Sequence, residues 1–240
     1  METTLYIIVP CYNEEEVLPV TSPLFLEALE SMIRKKIAGE NSRILYVDDG
    51  SCDGTWNLIA SYMEESPYVQ GIRLKQNCGH QKALWSGLME AKDRADITIT
   101  IDCDGQDDIR AMEEMAEAYQ KGNEIVYGVR SDRRTDSFLK RTSAQLFYKL
   151  MNLLGAKLVY NHADYRLLSS RVIRELETFE AKDLFLRGMV PHVNAKKAFV
   201  YYERQERIAG DTKYSFWKMC GLAWRGFRNH NAMTYRNRKR

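Results

Sequence analysis

The sequence predicts an α/β fold in which a mostly parallel sheet is flanked by helices. Three observations carry this. In the first half of the chain, short β-branched runs alternate with longer segments of helical spacing. The apolar runs end in polar, often acidic residues, as expected where parallel strands deliver their carboxyl ends to one edge of a sheet. With 240 residues, 45% of them hydrophobic, the chain can bury a full core and fits one main domain with an appendage better than two domains.

Taken in order, Leu5 to Val9 is the first expected strand, and Pro10 is expected to stop its ladder pairing. A helix over Leu24 to Lys36 follows, with Asn13 before it either as a helix cap or as a polar contact for a ribose or base. The pattern continues as strand Arg43 to Val47, helix Thr55 to Glu65, strand Val69 to Leu74, helix Gln81 to Ala91, strand Ile97 to Ile101, helix Ile109 to Lys121 and strand Glu124 to Val129. From Ser131 the pattern changes to a basic loop, an amphipathic helix from about Ser137 to Leu154, and a short strand-like return ending in Ala163-Asp164-Tyr165-Arg166. Phe199 to Tyr202 reads as the last strand. Residues 1–204 therefore form the main domain, and 205–240 an appendage that ends in an aromatic and basic tail. There is no internal repeat and no low-complexity linker.

Composition narrows the function. Lys and Arg number 35 against 33 Asp and Glu, so the net charge offers no reason to expect nucleic acid as a partner. The five cysteines (Cys11, Cys52, Cys78, Cys103, Cys220) have no CxxC spacing, which points to a reducing compartment rather than a disulfide framework or zinc ribbon. The four histidines lack HxxxH or HExxH spacing, which disfavours a histidine metal site. Neither GxGxxG nor GxxxxGK[ST] follows a strand, which argues against a dehydrogenase or a phosphate-loop enzyme. The N-terminus does not read as a secretory signal, and no apolar run approaches the roughly 18 to 20 residues of a spanning helix.

The chemistry gathers at the strand ends. Asp102 and Asp104, at i and i+2 beyond an apolar strand, suit a hard divalent cation that shares its other positions with water and diphosphate oxygens. The competing reading is an acidic turn that merely ends the strand. Asp48-Asp49 beyond a second strand favours the metal reading, because in a parallel sheet both pairs emerge on one edge. In Pro10-Cys11-Tyr12-Asn13-Glu14 the aromatic offers a wall for a base and the polar groups offer contacts to its edge. Asp164 either pairs with Arg166 at a strand end or faces a reacting group. Cys11, Cys52, Cys78 and Cys103 sit in or beside these motifs and read as small semi-apolar filling.

Four of these motifs, Val9-Pro10-Cys11-Tyr12-Asn13-Glu14, Val47-Asp48-Asp49-Gly50-Ser51, Asn77-x-Gly79 and Asp102-x-Asp104-x-Gln106-Asp107, resemble family 2 glycosyltransferases with the GT-A fold. Further on, Gly128-Val129-Arg130, Lys140-Arg141, Asp164-Tyr165-Arg166, Phe185-Leu186-Arg187-Gly188 and Arg207-x-x-Gly210-x-Thr212-Lys213-Tyr214 resemble the polyprenyl-phosphate branch, the bactoprenol and dolichyl-phosphate sugar transferases. The resemblance implies an inverting, metal-dependent hexosyltransferase using Mg2+ or Mn2+ and a nucleotide-sugar, a UDP-sugar by preference. It implies that Pro10, Tyr12, Asn13, Glu14, Asp48, Asp49, Gly79, Asp102 and Cys103 line the donor site, that Asp102 and Asp104 hold metal and diphosphate, and that Asp164 lies at the reacting sugar.

A phosphate-bearing acceptor also fits the basic residues beyond the fifth strand, since arginine pairs bidentately with phosphate and stays charged. Arg130 and Arg141 carry the family pattern, whereas Arg133 and Arg134 read equally well as a solvated loop. Arg207 and Lys213, spaced around Gly210, suggest a turn over the diphosphate. Members of this branch usually continue into membrane-spanning helices; here Phe216, Trp217, Leu222 and Trp224 flanked by cations suit a helix lying in the headgroup region or one packed on the domain. The expected setting is the inner face of the cell membrane, with a nucleotide-sugar, polyprenyl phosphate and the membrane surface as partners, together with a second copy or a membrane-spanning subunit. Two rivals remain: transfer to a saccharide hydroxyl, and an inactive nucleotide-sugar-binding subunit.

Overall fold

The computed structural model describes residues 2–131, 162–179 and 184–205. Among these, seven strands form one sheet in the order β3-β2-β1-β4-β6-β5-β7. The strands are β1 (Leu5–Cys11), β2 (Arg43–Asp48), β3 (Val69–Arg73), β4 (Ile97–Thr100), β5 (Ile125–Arg130), β6 (His162–Ser169) and β7 (Lys197–Tyr202). The helices are α1 (Leu18–Arg34), α2 (Thr55–Glu65), α3 (His80–Ala91), α4 (Ala111–Gln120), α5 (Ser170–Glu177) and α6 (Leu186–Met189). Only β6 runs antiparallel, between β4 and β5, so the sheet is mostly parallel as expected.

Alternation along the strands divides the core. In β1, Leu5, Ile7 and Val9 face the layer that holds Phe25 and Leu29 of α1, Ile59 of α2 and Met112 and Met115 of α4. Tyr6 and Ile8 face the opposite layer, with Leu84 and Leu88 of α3, Val172 and Ile173 of α5 and Leu186 of α6. Both faces of a central parallel strand are therefore covered, which is why β1 reads as a continuous apolar run. Gly87 lets α3 lie directly on the sheet, since a Cβ there would meet Ile8 Cγ2 at 2.5 Å.

Three expectations change. Pro10 does not end β1: it pairs with Val47, and Cys11 pairs with Asp48. The β4 ladder stops at Ile8 opposite Thr100, so the proline nitrogen lies on a side where no partner strand remains and its missing N–H breaks no ladder bond. The first helix begins at Leu18 rather than Leu24, because Pro19 occupies its first turn, where the missing N–H has no intrahelical partner, and Pro23 is tolerated a turn later. Asn13 is not the cap of α1, whose N-cap is Val17 without a side-chain bond. The strand-like return is the eight-residue β6 and leads into α5, which periodicity did not single out. Residues 132–161, which include the basic loop and the amphipathic segment 137–154, and residues 206–240 lie outside the described residues, and so therefore do Arg133, Arg134, Arg141, Arg207, Lys213 and the tail. Among the described residues no helix is long and apolar enough to cross a membrane.

Candidate active site at the carboxyl edge of the sheet

The loops after β1, β2 and β3 are bound into one rim. Asn13 takes a left-handed conformation with φ 53°, its side-chain oxygen accepts from the Cys52 N–H at 2.9 Å, and its own N–H donates to Ser51 Oγ at 2.9 Å. The Glu14 N–H donates to Thr55 Oγ1 at 2.7 Å. Asp48 is fully buried; one oxygen accepts from the Ser51 N–H at 3.0 Å, and the other lies 3.2 Å from Arg73 Nε. Asp49 accepts from the N–H groups of Cys78 and Gly79 at 2.7 and 2.8 Å, clamping the loop before α3. Gly50 between them has φ +68°, and a Cβ there would approach the Gln76 carbonyl carbon to 2.5 Å, so the backbone contact demands glycine. Tyr12 and Glu14 line the same rim, half-buried, beside the buried Pro10.

The turn after β4 alternates in burial, with Cys103, Gly105 and Asp107 inward and Asp102, Asp104 and Gln106 half-buried at the crevice. Cys103 turns away from the crevice into the core beside Thr21, 3.8 Å from its hydroxyl. Asp104 accepts from the Gln106 N–H at 3.1 Å. Asp102 keeps 37% side-chain exposure, yet the depth of its crevice, with Asp107, Asp104 and Asp164 adding negative charge and only His80 opposing them, pushes its carboxyl up to about 6.

Asp164, on β6, lies across the crevice from Asp102 and is almost completely enclosed. Its Oδ2 accepts from Gln81 Nε2 at 3.0 Å and from an Arg187 guanidinium nitrogen at 3.0 Å, with His80 Nε2 at 3.3 Å; its Oδ1 is paired with Arg166. Burial would raise this carboxyl, but Arg187, Arg166 and His80 together hold it well below the usual carboxylate range. His80 also lies 3.6 Å from Asp102. Burial works against its charged form, but the bond to Asp164 and the charge of Asp102 prevail and hold it above the ordinary histidine value.

A third group braces the turn from behind. Asp107 is buried and its Oδ1 accepts from Tyr202 Oη at 2.5 Å and from Arg130 at 3.1 Å. Tyr165 Oη donates to the Asp108 carbonyl at 2.9 Å, and the Gln205 N–H to that of Gln106 at 2.9 Å. Arg130 is thus engaged inward by Asp107 and Tyr202.

The structure brings Pro10, Tyr12, Asn13, Glu14, Asp48, Asp49, Gly79, Asp102, Cys103 and Asp104 to one edge of the sheet, as the strand-end pattern predicts, and sets Asp164, near the start of the antiparallel β6, at the same edge. It adds His80, Gln81, Arg166 and Arg187, which sequence reading did not count among the site residues although each sits in or beside a quoted motif. Among the described residues no group of three or more His, Cys, Asp or Glu side chains is arranged to enclose a metal ion.

A mostly parallel sheet whose carboxyl edge carries paired carboxylates defines an open α/β protein with its ligand site at that edge, and the comparisons define it further. Residues 6–177 match the family model for glycosyl transferase family 2, and the chain belongs to that family. It is 51% identical over 94% of its length to the uncharacterized glycosyltransferase YkoT of Bacillus subtilis (strain 168), of which it spans 67%. It is 35% identical over 96% of its length to the prophage bactoprenol glucosyl transferase homolog of Escherichia coli (strain K12), of which it spans 73%. Among solved structures, mannosyltransferase PcManGT from Pyrobaculum calidifontis, in complex with GDP-Man and Mn2+, matches with a TM-score of 0.59 at 16% identity, over 98% of this chain and 65% of that one. Glucosyl-3-phosphoglycerate synthase from Mycobacterium tuberculosis matches with a TM-score of 0.57 at 15% identity, over 92% and 76% respectively. The fold is GT-A-like, with the GT-A glycosyltransferases as its structural neighbours.

Proposed function

We propose that the protein moves a hexose from a nucleoside diphosphate-sugar, a UDP-sugar in our reading, onto polyprenyl phosphate at the cytoplasmic face of the membrane. The state of Asp164 carries this reading. A carboxylate enclosed by Arg166, Arg187, His80 and Gln81 and held well below its ordinary range is a weak proton acceptor. Attack by a sugar hydroxyl requires proton removal, whereas a phosphate monoester, with a second pKa near ~6, is already largely ionised at neutral pH. The names of relatives such as the bactoprenol glucosyl transferase of Shigella phage SfV, 33% identical, support the same acceptor.

In this reading Tyr12, Asn13, Glu14 and the Asp48–Asp49 turn hold the nucleoside, with Pro10, Gly79 and Cys103 lining the donor site through backbone and packing. The Asp102–Asp104 turn faces the diphosphate. A divalent cation fits there: two half-buried carboxylates at i and i+2 supply hard oxygen donors at the mouth of the crevice. Mg2+ or Mn2+ held by Asp102 and Asp104 would offset the charge developing on the leaving diphosphate. Asp164 faces the donor sugar and stabilises positive charge at its anomeric carbon. An acceptor phosphate oxygen bonds to that carbon as its bond to the diphosphate breaks, and attack from the opposite face inverts the configuration. Arg141, Arg207 and Lys213 belong to the acceptor and diphosphate side, whereas Arg130, expected there from the sequence, braces the turn after β4 through Asp107 and Tyr202; residues 205–240 carry the protein to the bilayer that holds the acceptor.

Incubating the protein with radiolabelled UDP- and GDP-sugars, polyprenyl phosphate in vesicles and Mn2+ should yield an organic-extractable glycolipid, lost on chelation. Label transferred only to saccharide acceptors would overturn the phosphate reading. Donor binding without any transfer would indicate an inactive subunit.

A further inference from the structure

The first turn of α3 places Gln81 between two elements that no strand ladder connects. Its amide nitrogen donates to Asp164 Oδ2 on β6 at 3.0 Å, and its amide oxygen accepts from the Leu186 N–H at the start of α6 at 3.1 Å. The partners dictate that orientation, because an ionised carboxylate only accepts and a peptide N–H only donates. The next residue, Arg187, returns to the same Asp164 oxygen at 3.0 Å. A closed ring results, running from Gln81 to Asp164, on to Arg187, and back through the Leu186 N–H. Helix α6 has four residues, too few to hold itself by its own backbone bonds, and the N–H that Gln81 receives is one its first turn leaves without an intrahelical partner. Where Arg187 points therefore depends on Gln81. A hydrocarbon of the same length satisfies neither partner, and a carboxylate satisfies only Leu186.

We propose that Gln81 is a positioning residue that holds Asp164 and Arg187 in mutual register, so that the sugar-facing carboxylate and the half-exposed guanidinium meet the substrates together. This rests on the reading that Asp164 faces the donor sugar. Gln81→Leu should lower kcat about tenfold or more, the usual range for losing a hydrogen bond to a charged group, and leave donor affinity, measured by thermal shift with Mn2+, within about twofold. Gln81→Glu keeps an acceptor for Leu186 but sets a second carboxylate against Asp164, so it should stay folded with a lowered melting temperature and still lose activity.

The decisive measurement is a double-mutant cycle with Arg187→Ala. If Gln81 acts by holding Arg187 against Asp164, adding Gln81→Leu to Arg187→Ala should cost far less than it does alone. Full multiplication of the two losses would overturn the proposal, as would a parent-like rate for Gln81→Glu or a loss of donor binding equal to the loss of kcat. If the parent protein transfers to an acceptor other than polyprenyl phosphate, the functional reading fails, but the same cycle, read on that transfer, still decides the role of Gln81.

Discussion

Asp104 carries the most direct prediction. Asp104→Asn should abolish transfer and metal-dependent donor binding while the melting temperature stays near that of the parent, since its bond to the Gln106 N–H is local and an amide oxygen can still accept it. Unchanged turnover would remove Asp104 from the metal site. Asp164 is predicted to behave differently from a base. Its folded value is depressed, so its pairing is fully present above the ordinary carboxyl value of about 3.9 and is lost only as pH falls below that through the folded value. Across roughly pH 6.5 to 8.5 its charge is constant, and the activity lost in Asp164→Asn should hardly vary in that window. A defect rescued steeply by rising pH would instead indicate hydroxyl deprotonation and a saccharide acceptor. Asp104 was legible from its place beyond an apolar strand, and Asp164 from the motif that carries the family resemblance. Their partners were not: His80, Gln81 and Arg187 reach Asp164 from α3 and α6, and nothing in the spacing of these residues announces a shared oxygen.

Asp107, Arg130 and Tyr202 join three elements, the turn after β4 and strands β5 and β7. Asp107→Ala would leave a three-quarters-buried guanidinium without its carboxylate and should cost about 3 kcal/mol in urea unfolding. Tyr202→Phe removes one hydrogen bond and should cost about 1 kcal/mol. Equal, small losses in both would mean that Arg130 finds another partner. Gly50→Ala tests the joint between β2 and the loop before α3: the left-handed conformation alone costs an alanine about 1 to 2 kcal/mol. The contact with Gln76 adds to it, so donor affinity should fall together with stability. Element order through β5 and most boundaries there followed from periodicity, α2 over its full length. The start of α1 did not: the helix begins at Leu18, with Pro19 in its first turn and Pro23 within it, so it includes residues ahead of the stretch that periodicity marks from Leu24.

For the whole molecule, the proposal that 205–240 meets the bilayer predicts that the full chain sediments with anionic vesicles, less with neutral ones, and progressively less as salt shortens the reach of surface charge to about 8 Å at physiological strength. Removing residues 215–240 should then reduce transfer to vesicle-embedded acceptor while sparing donor binding. Equal sedimentation of the long and short forms would leave the tail as a packing element. What the sequence by itself determined is the order of strands and helices through β5, the polar edge where the strands end, and the family, because hydrophobic period and short motifs are local properties of the chain. Only the tertiary structure decided that β6 inserts antiparallel between β4 and β5 and carries Asp164 across from Asp102. It alone assembled Arg166, Arg187, His80 and Gln81 around that carboxylate, because the charge state of a buried group is set by neighbours that are distant in sequence and adjacent only after folding.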